Sequence, residues 1–418
     1  MKKLLFLIAM FCTLKANSQN YLISFAATGS STTVSTVKVE NLTAGTNITL
    51  NGTDILRLNG PTGISPLENG KSAEMKIYPN PMNDNAVLRI SPPVSGRATI
   101  SVMDMAGRLI SKTPVYLENQ PQELIISGLK SGFYLIGVKG SDYQYSGKLL
   151  CNSHKAGAIR IDKIINNKAF EEKTINTDSK GELATVDMDY TTGDMLKITG
   201  KFEKYSTVVM DVPTSSKTIT FNFIPCRDFD GNLYSVVEIG TQTWMAENLK
   251  TTHYNDGSSI PLVLDNTEWK NLATPGYCWY NNDENFFKSF YGALYNWYTV
   301  NTDKLCPIGW HVPAGTEWNT LLGYLGGFDV AGGKLKENTT WWWLPPNTGA
   351  TNETGFTALP GGYRYDACSG VGTQGWYWQS GEAAPTAGAA REMTNDGSDV
   401  YGAGELKIFG FSVRCIKD

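Results

Sequence analysis

Alternating apolar and polar residues recur through the first half of the chain and predict β-strands. Residues 218–223 and 99–102 both follow this two-residue period, which is typical of a strand with one buried face. A turn at 105–108 separates the second run from apolar Leu109 and Ile110, so we expect a hairpin there. Strands with such frequent turns favour small β-sandwiches.

The second half of the chain has a different pattern. Apolar residues at spacings of three and four predict helices over 285–300 and 316–325, the second followed by two glycines. All eleven Trp residues lie between residues 244 and 378. We therefore place a domain boundary near Cys226 and predict an α+β domain after it.

Composition, charge and the lengths of the apolar runs argue against nucleic-acid binding and against a transmembrane helix. The chain has 418 residues, a formal net charge of −4 and only 18% charged residues, and it contains no basic block. Electrostatic capture of nucleic acid is therefore not expected. Beyond the N-terminus no apolar run approaches the ~18 residues that span a bilayer, so we expect no transmembrane helix in the mature chain.

The N-terminus has the pattern of a signal peptide. Lys2 and Lys3 precede an eleven-residue apolar run, Leu4–Leu14, which is too short to cross a bilayer. Ser18 supplies a small residue at the expected cleavage position. The sequence thus predicts a signal peptide over residues 1–18 and an extracellular or outer-surface location.

Residues 76–150 carry an ordered set of motifs. They are Tyr78-Pro79-Asn80-Pro81, Gly132-Phe133-Tyr134-Leu135 and Lys148-Leu149-Leu150. This order resembles the C-terminal sorting domain of type IX secretion, an Ig-like β-sandwich of Bacteroidetes-type exported proteins. The resemblance implies a sandwich here. Since 418 − 150 = 268 residues follow, the segment either sorts from an internal position or acts as a spacer.

The last 190 or so residues contain longer motifs. They are Asp230–Tyr234, Thr243–Leu249, Tyr291–Trp297, Cys306–Pro313, Ala358–Arg364 and Gly410–Cys415. Together they resemble the Fibrobacter succinogenes major paralogous domain family, abbreviated FISUMP. The resemblance implies an α+β fold similar to formylglycine-generating enzymes and to C-type-lectin-like domains.

The expected architecture is multidomain, with all-β sandwiches followed by an α+β domain of C-type-lectin-like or formylglycine-generating-enzyme-like topology. The expected segments are the signal peptide at 1–18, an N-terminal β segment at 19–75, the Ig-like sandwich at 76–151, a β-rich domain at 152–225 and the FISUMP domain at 226–418.

Cysteine usage fits an exported protein. Without Cys12 of the signal peptide six cysteines remain, an even number that permits disulfides but does not give their connectivity. In lectin-like folds the first helix region and the terminal strand are commonly bridged. The resemblance therefore implies a disulfide between Cys306 and Cys415, and two buried thiols are the alternative.

Signals of catalysis are weak. No two of the three His residues are four apart, and no Ser has the two glycines of a nucleophile elbow. The formylglycine-generating relatives need a close C-terminal cysteine pair, whereas Cys368 and Cys415 are 47 residues apart. The sequence predicts a protein without catalytic activity or cofactor, and the alternative is a divergent enzyme on that scaffold.

One turn has the spacing of a calcium loop. Asp228, Asp230 and Asn232 place oxygen side chains at alternate positions, which is how calcium loops begin. Asp-Gly-Asn is also a preferred turn sequence. A calcium site and a simple turn with solvated acids both remain open here.

Clustered aromatic residues are the best pointer to function. Trp341 and Trp342 precede Trp343, which the resemblance identifies as a core residue, and Trp376 and Tyr377 form a second cluster. Three consecutive Trp side chains cannot all point inward. Trp341, Trp342, Trp376 and Tyr377 are candidates for a stacking platform, with core packing as the alternative.

The expected role is surface recognition or adhesion, with a glycan or a surface protein as partner. A purely structural envelope component is a further alternative.

Overall fold

The structure is a computed structural model of the chain. It describes residues 20–60, 75–78, 80, 82, 84–104, 108–140, 143–151, 157, 159–163, 184–338 and 342–418. The signal peptide expected at residues 1–18, most of the turn expected at 105–108, and Trp341 lie outside the described residues.

In the described residues of the first half, the chain forms sixteen strands. The first four are β1 (Asn20–Gly29), β2 (Thr36–Asn41), β3 (Thr46–Asn51) and β4 (Ile55–Asn59). The next eight are β5 (Met75–Tyr78), β6 (Asn85–Ile90), β7 (Gly96–Asp104), β8 (Leu109–Leu117), β9 (Gln122–Ser127), β10 (Gly132–Lys139), β11 (Gln144–Cys151) and β12 (Arg160–Lys163). Four more follow: β13 (Thr185–Asp189), β14 (Leu196–Phe202), β15 (Tyr205–Asp211) and β16 (Lys217–Phe223).

The first and last of these groups build one sandwich together. One sheet has the order β13-β4-β1-β16, and the facing strands run β15-β14-β2-β3. Strand β16 pairs in parallel with β1, and Ile219, Phe221 and Phe223 are buried as its alternation predicts. The predicted division into two separate domains is wrong, because neither group of four strands could cover its own apolar face.

The middle group forms a second sandwich inserted between β4 and β13. Its sheets have the orders β11-β10-β7-β8 and β12-β9-β6-β5, with Ile100, Val102 and Ile136 in the shared core. Strands β7 and β8 pair antiparallel, which agrees with the predicted hairpin. Strand β12 pairs with β9, so this sandwich continues beyond residue 151, where its boundary was expected.

The insertion is tolerated because its two ends start from neighbouring strands. Strands β4 and β13 pair in parallel, with Ile55 opposite Thr185, and the N–H of Tyr190 donates to the carbonyl of Asn59 at 2.9 Å. A domain can be inserted where chain ends lie close together at the surface.

The C-terminal domain mixes short helices with irregular strands. Its strands are β17 (Val236–Ile239), β18 (Gln242–Met245), β19 (Tyr277–Cys278), β20 (Leu294–Tyr295), β21 (Trp310–His311), β22 (Gly361–Arg364), β23 (Cys368–Val371), β24 (Gln374–Ala384), β25 (Ala387–Thr394), β26 (Tyr401–Leu406) and β27 (Ile416–Lys417). Its helices are α1 (Asn266–Lys270), α2 (Glu284–Phe290), α3 (Trp297–Val300), α4 (Gly315–Tyr324) and α5 (Phe328–Leu335), with a 3-10 turn at Tyr280–Asn282.

A continuous sheet joins this domain to the first sandwich. Strand β17 pairs in parallel with β15, with Thr207 opposite Val236, which gives the eight-stranded order β21-β27-β18-β17-β15-β14-β2-β3. A second sheet of the C-terminal domain has the order β23-β22-β24-β25-β26. The boundary near Cys226 is therefore crossed by backbone hydrogen bonds.

The helix predicted over 285–300 is wrong, because two short helices and a strand occupy this segment. Gly292 has a φ of +72°, and a Cβ there would lie 2.5 Å from the carbonyl oxygen of Leu249. The Asn296 side chain then accepts a hydrogen bond from the N–H of Thr299 at 3.0 Å and caps α3. The apolar spacing that suggested one helix spans this break.

The second predicted helix is confirmed as α4. Trp318, Leu321 and Leu322 form its buried face. Gly326 and Gly327 follow with φ values of +99° and +105°, a conformation that ends helices at little cost for glycine.

We expect Ala314→Thr to stabilise the C-terminal domain by about 1 kcal/mol. Ala314 is the N-cap of α4, and its N–H donates to Glu317 Oε2 at 2.8 Å, but it has no side-chain oxygen to accept an N–H of the first turn. Urea unfolding followed by Trp fluorescence measures the change. Ala314→Val is the control of matched shape, and equal stability of the Thr and Val variants would refute the prediction.

Candidate functional site

The first aromatic cluster is mainly packed. Trp343 is fully buried, as expected for a core residue, and Trp341 lies outside the described residues. Trp342 is half-buried, with its ring centroid 5.0 Å from that of Phe290 and 5.6 Å from that of Tyr291. Trp342 is therefore packed against two other aromatic rings and is only partly accessible to a ligand.

The second cluster is covered on both faces of its strand. Tyr377 is fully buried and its hydroxyl accepts a hydrogen bond from the N–H of Leu359 at 3.2 Å, so its assignment to an exposed platform is wrong. Trp376 is half-buried and stacks on Phe411 with ring centroids 4.8 Å apart. The cause is the position of β24 between β22 and β25, with other parts of the domain packed above and below.

The candidate calcium residues serve hydrogen bonds within the protein. Asp228 accepts from the N–H and Nδ2 of Asn232 at 2.8 and 2.7 Å and from the Tyr234 hydroxyl at 2.5 Å. Asp230 instead contacts His253 Nδ1 at 2.5 Å. Within the described part of the chain, no three His, Cys, Asp or Glu side chains are grouped so that they could hold a metal ion. The arrangement is that of a hydrogen-bonded turn.

The cysteines include one disulfide. The Sγ atoms of Cys306 and Cys415 are 2.02 Å apart and their Cα atoms 6.0 Å apart. This is the pair that the lectin-like resemblance implied. It ties the segment before α4 to the residue that immediately precedes the last strand, β27.

A cleft of about 250 Å³ lies beside Trp342. Lys197 Nζ donates to Thr357 Oγ1 at 2.9 Å, and burial lowers the pKa of this lysine. Burial alone would raise the pKa of Glu247, but the Lys250 ammonium and hydrogen bonds from Ser235 outweigh it and lower that pKa. The charged groups of this cleft are thus already engaged with the protein.

A larger groove of about 440 Å³ lies where the first sandwich meets the C-terminal domain. We call it the Tyr324 groove. Strands β15 and β16 form one wall, and β17, the end of α4 and the segment around Glu353 form the other. Its volume falls within the ~300–1,000 Å³ that is usual for small-molecule sites.

Tyr324 supplies an exposed aromatic ring at this groove. It is the last residue of α4 and 67% of its surface is exposed. The ring lies against Gly240, whose φ is +62°, and a Cβ added there would lie 3.0 Å from the ring. A glycine at this turn therefore lets the ring lie close to the backbone.

Polar side chains line the same groove. Asn222 Nδ2 donates to Glu238 Oε1 at 2.9 Å. Lys334 Nζ forms an ion pair with Glu353 Oε1 at 3.1 Å. Glu238 is exposed, and a carboxylate has acceptor capacity for several hydrogen bonds. With Glu353 paired, Glu238 leaves an excess of negative charge, which favours a neutral or cationic ligand over an anionic one.

Tyr324 is not among the residues that the sequence motifs predict to be functional. Its buried neighbours Trp318, Leu321 and Leu322 define the apolar face of α4, and Tyr324 lies at the edge of that face. An aromatic residue at the border of an amphipathic stripe was the available signal. Asn222 and Glu238, which line the groove with Tyr324, come from different domains, and periodicity along the chain does not reveal this proximity.

Comparison with known proteins gives two family matches. The model of the Fibrobacter succinogenes major domain matches residues 237–417, and that of the secretion system C-terminal sorting domain matches residues 76–152. None of the curated proteins matches the chain.

One solved structure with similarity is that of dimeric latent PorU from Porphyromonas gingivalis. The identity is 21% and the TM-score 0.17, over 26% of this chain and 11% of that protein. The chain thus spans about a tenth of the length of PorU.

The family matches fall on the segments that the motifs indicated. The sorting domain indicates an exported surface protein. Across the described residues no helix has the length and apolar character needed to cross a membrane. The chain therefore carries one segment similar to the secretion system C-terminal sorting domain and a second segment similar to the Fibrobacter succinogenes major domain.

Proposed function

We propose that this exported surface protein is a non-catalytic recognition protein that binds a neutral glycan in the Tyr324 groove. Its C-terminal domain then acts as a lectin, in keeping with the C-type-lectin-like topology that we propose for it. The first sandwich contributes one wall of the site, so it is part of the binding unit.

The exposed ring of Tyr324 is the observation that carries the proposal. A sugar presents C–H groups on one face, which stack on an aromatic ring, and hydroxyls at its edge, which need donors and acceptors. The groove offers both, since Asn222, Glu238 and Thr220 line it together with the ring. A tyrosine also provides contact area with little loss of side-chain freedom, since few bonds must be fixed.

The negative charge of the groove restricts the class of sugar that can bind. An acidic sugar would bring its carboxylate near the Glu238 carboxylate and lose affinity. Hexoses and other uncharged sugars avoid this cost. The proposal therefore predicts selectivity for neutral over acidic glycans.

Tyr324→Ala is expected to weaken glycan binding by about 30-fold or more, the equivalent of ~2 kcal/mol for an aromatic anchor. The stability of the domain should change little because the side chain is largely exposed. A glycan array identifies ligands of the full-length protein, and calorimetry with the best neutral ligand measures the loss.

Tyr401→Ala is the matched control, because Tyr401 is 55% exposed in the same domain but does not line the groove. We expect it to bind as the parent protein does. Equal binding by the Tyr324 and Tyr401 variants, or an array without any glycan signal, would exclude this function for the groove.

A further inference from the structure

Two cysteine thiols of the C-terminal domain lie against each other outside the groove. Cys278 ends β19 and is fully buried, and Cys368 begins β23 and is half-buried. Their thiols are joined by a hydrogen bond. The N–H of Asn281 also donates to Cys368 Sγ at 3.2 Å.

The surroundings give the two thiols different roles. The hydrogen bond from Cys278 lowers the pKa of Cys368 and outweighs its partial burial, with the Asn281 N–H and the Arg364 guanidinium adding to the effect. Burial raises the pKa of Cys278. The more accessible sulfur is therefore also the better stabilised thiolate, which is the property of a reactive cysteine.

We propose that Cys278 and Cys368 form a redox-responsive pair that closes a second disulfide after export. The oxidant is the disulfide of a small molecule or of another exported protein. The Cys368 thiolate attacks one sulfur of that disulfide, which forms a mixed disulfide and expels the other sulfur as a thiolate. Cys278 then loses its proton and attacks Cys368 Sγ, which releases the second sulfur.

Electrons and protons balance over these two thiol–disulfide exchange steps. The two thiols lose two electrons and two protons, and the oxidant disulfide takes them up to become two thiols. Exported proteins meet oxidising conditions in which such bonds persist. A partly accessible pair is more easily reduced than a buried one, so this bridge responds to redox conditions while Cys306–Cys415, of which both residues are buried, stays closed.

Peptide mapping of the full-length protein tests the proposal directly. Trypsin places Cys278 in peptide 271–288 and Cys368 in peptide 365–391, with one cysteine each. The reduced protein is equilibrated in a series of glutathione redox buffers, quenched with acid, and alkylated under denaturing conditions. Alkylation of both cysteines should fall together as a linked 271–288/365–391 species appears. Full alkylation of both across the series, or linkage of either to a different cysteine, would overturn the proposal.

Single variants separate the roles of the two thiols. Cys278→Ala should accumulate a glutathione mixed disulfide on Cys368, since the resolving thiol is missing. Cys226→Ala is the control, because Cys226 is also buried, and burial raises its pKa. It should leave the linkage unchanged. A Cys278→Ala protein whose Cys368 stays unmodified would refute the attack order, and the mapping of the parent protein stands even if that variant fails to fold.

Discussion

Loss of the Cys306–Cys415 disulfide should lower the free energy of unfolding of the C-terminal domain by about 4 to 5 kcal/mol. The two cysteines are 109 residues apart, and a bridge across so long a loop removes much of the freedom of the unfolded chain. Both residues are buried in the same apolar cluster. Poor packing around the bridge is therefore not expected to offset this stabilisation.

The measurement uses a double variant, Cys306→Ala with Cys415→Ala, in urea unfolding. Because all eleven Trp residues lie between residues 244 and 378, Trp fluorescence reports on the C-terminal domain alone. With strong reductant present in both samples, the parent protein and the variant should unfold at nearly the same urea concentration, because neither then contains a disulfide. A variant with the parent's urea midpoint would show that the bridge contributes nothing.

The sequence predicted local structure well where one face of an element is buried. Strands β7 and β16 and helix α4 follow from their two-residue and 3.6-residue periods, since each presents one apolar face to a core. The predicted helix over 285–300 failed because periodicity does not register a break such as Gly292, whose close approach to Leu249 depends on the tertiary fold.

Pairing between distant strands could not be predicted in the same way. Strand β1 lies beside β16, about 190 residues later in the chain, with Ile23 opposite Lys217. Alternation shows that each strand has an apolar face but not which other strand covers it. Alternation alone therefore predicts two domains, one on each side of the inserted sandwich, where the structure has a single sandwich.

The candidate site illustrates the limit of motifs. The motif residues that identified the family are largely structural, as Arg364 and Tyr295 are buried and bonded within the domain. The prediction that Tyr377 is exposed failed because an aromatic cluster also occurs in a strand that is covered on both faces. The exposed Tyr324 belongs to none of the family motifs quoted above. A prediction based on those motifs therefore selects buried residues of the core.

The structural role of these motifs is clearest at Arg414, which is 1% exposed. Its Nε donates to Asn248 Oδ1 at 2.7 Å, and its two amino groups donate to the carbonyls of Met245, Phe356 and Thr357. The guanidinium also lies over the Phe356 ring, 4.4 Å from its centroid. Burial lowers the pKa of Arg414 to about 10, but at neutral pH it keeps its charge.

Arg414→Met should therefore destabilise the C-terminal domain by about 3 to 5 kcal/mol, because several buried acceptors lose their donor at about 1 kcal/mol or more each. Arg414→Lys keeps the charge but has three donors in place of five, so we expect a smaller but still large loss. Arg227→Met is the control, since Arg227 is exposed in the same domain and its loss should fall within ~0.5 kcal/mol. Urea unfolding followed by Trp fluorescence ranks the three variants. If Arg414→Met unfolds at the same urea concentration as Arg227→Met, the hydrogen bonds from Arg414 to the loop at residues 356–357 do not stabilise the domain, and the prediction is wrong.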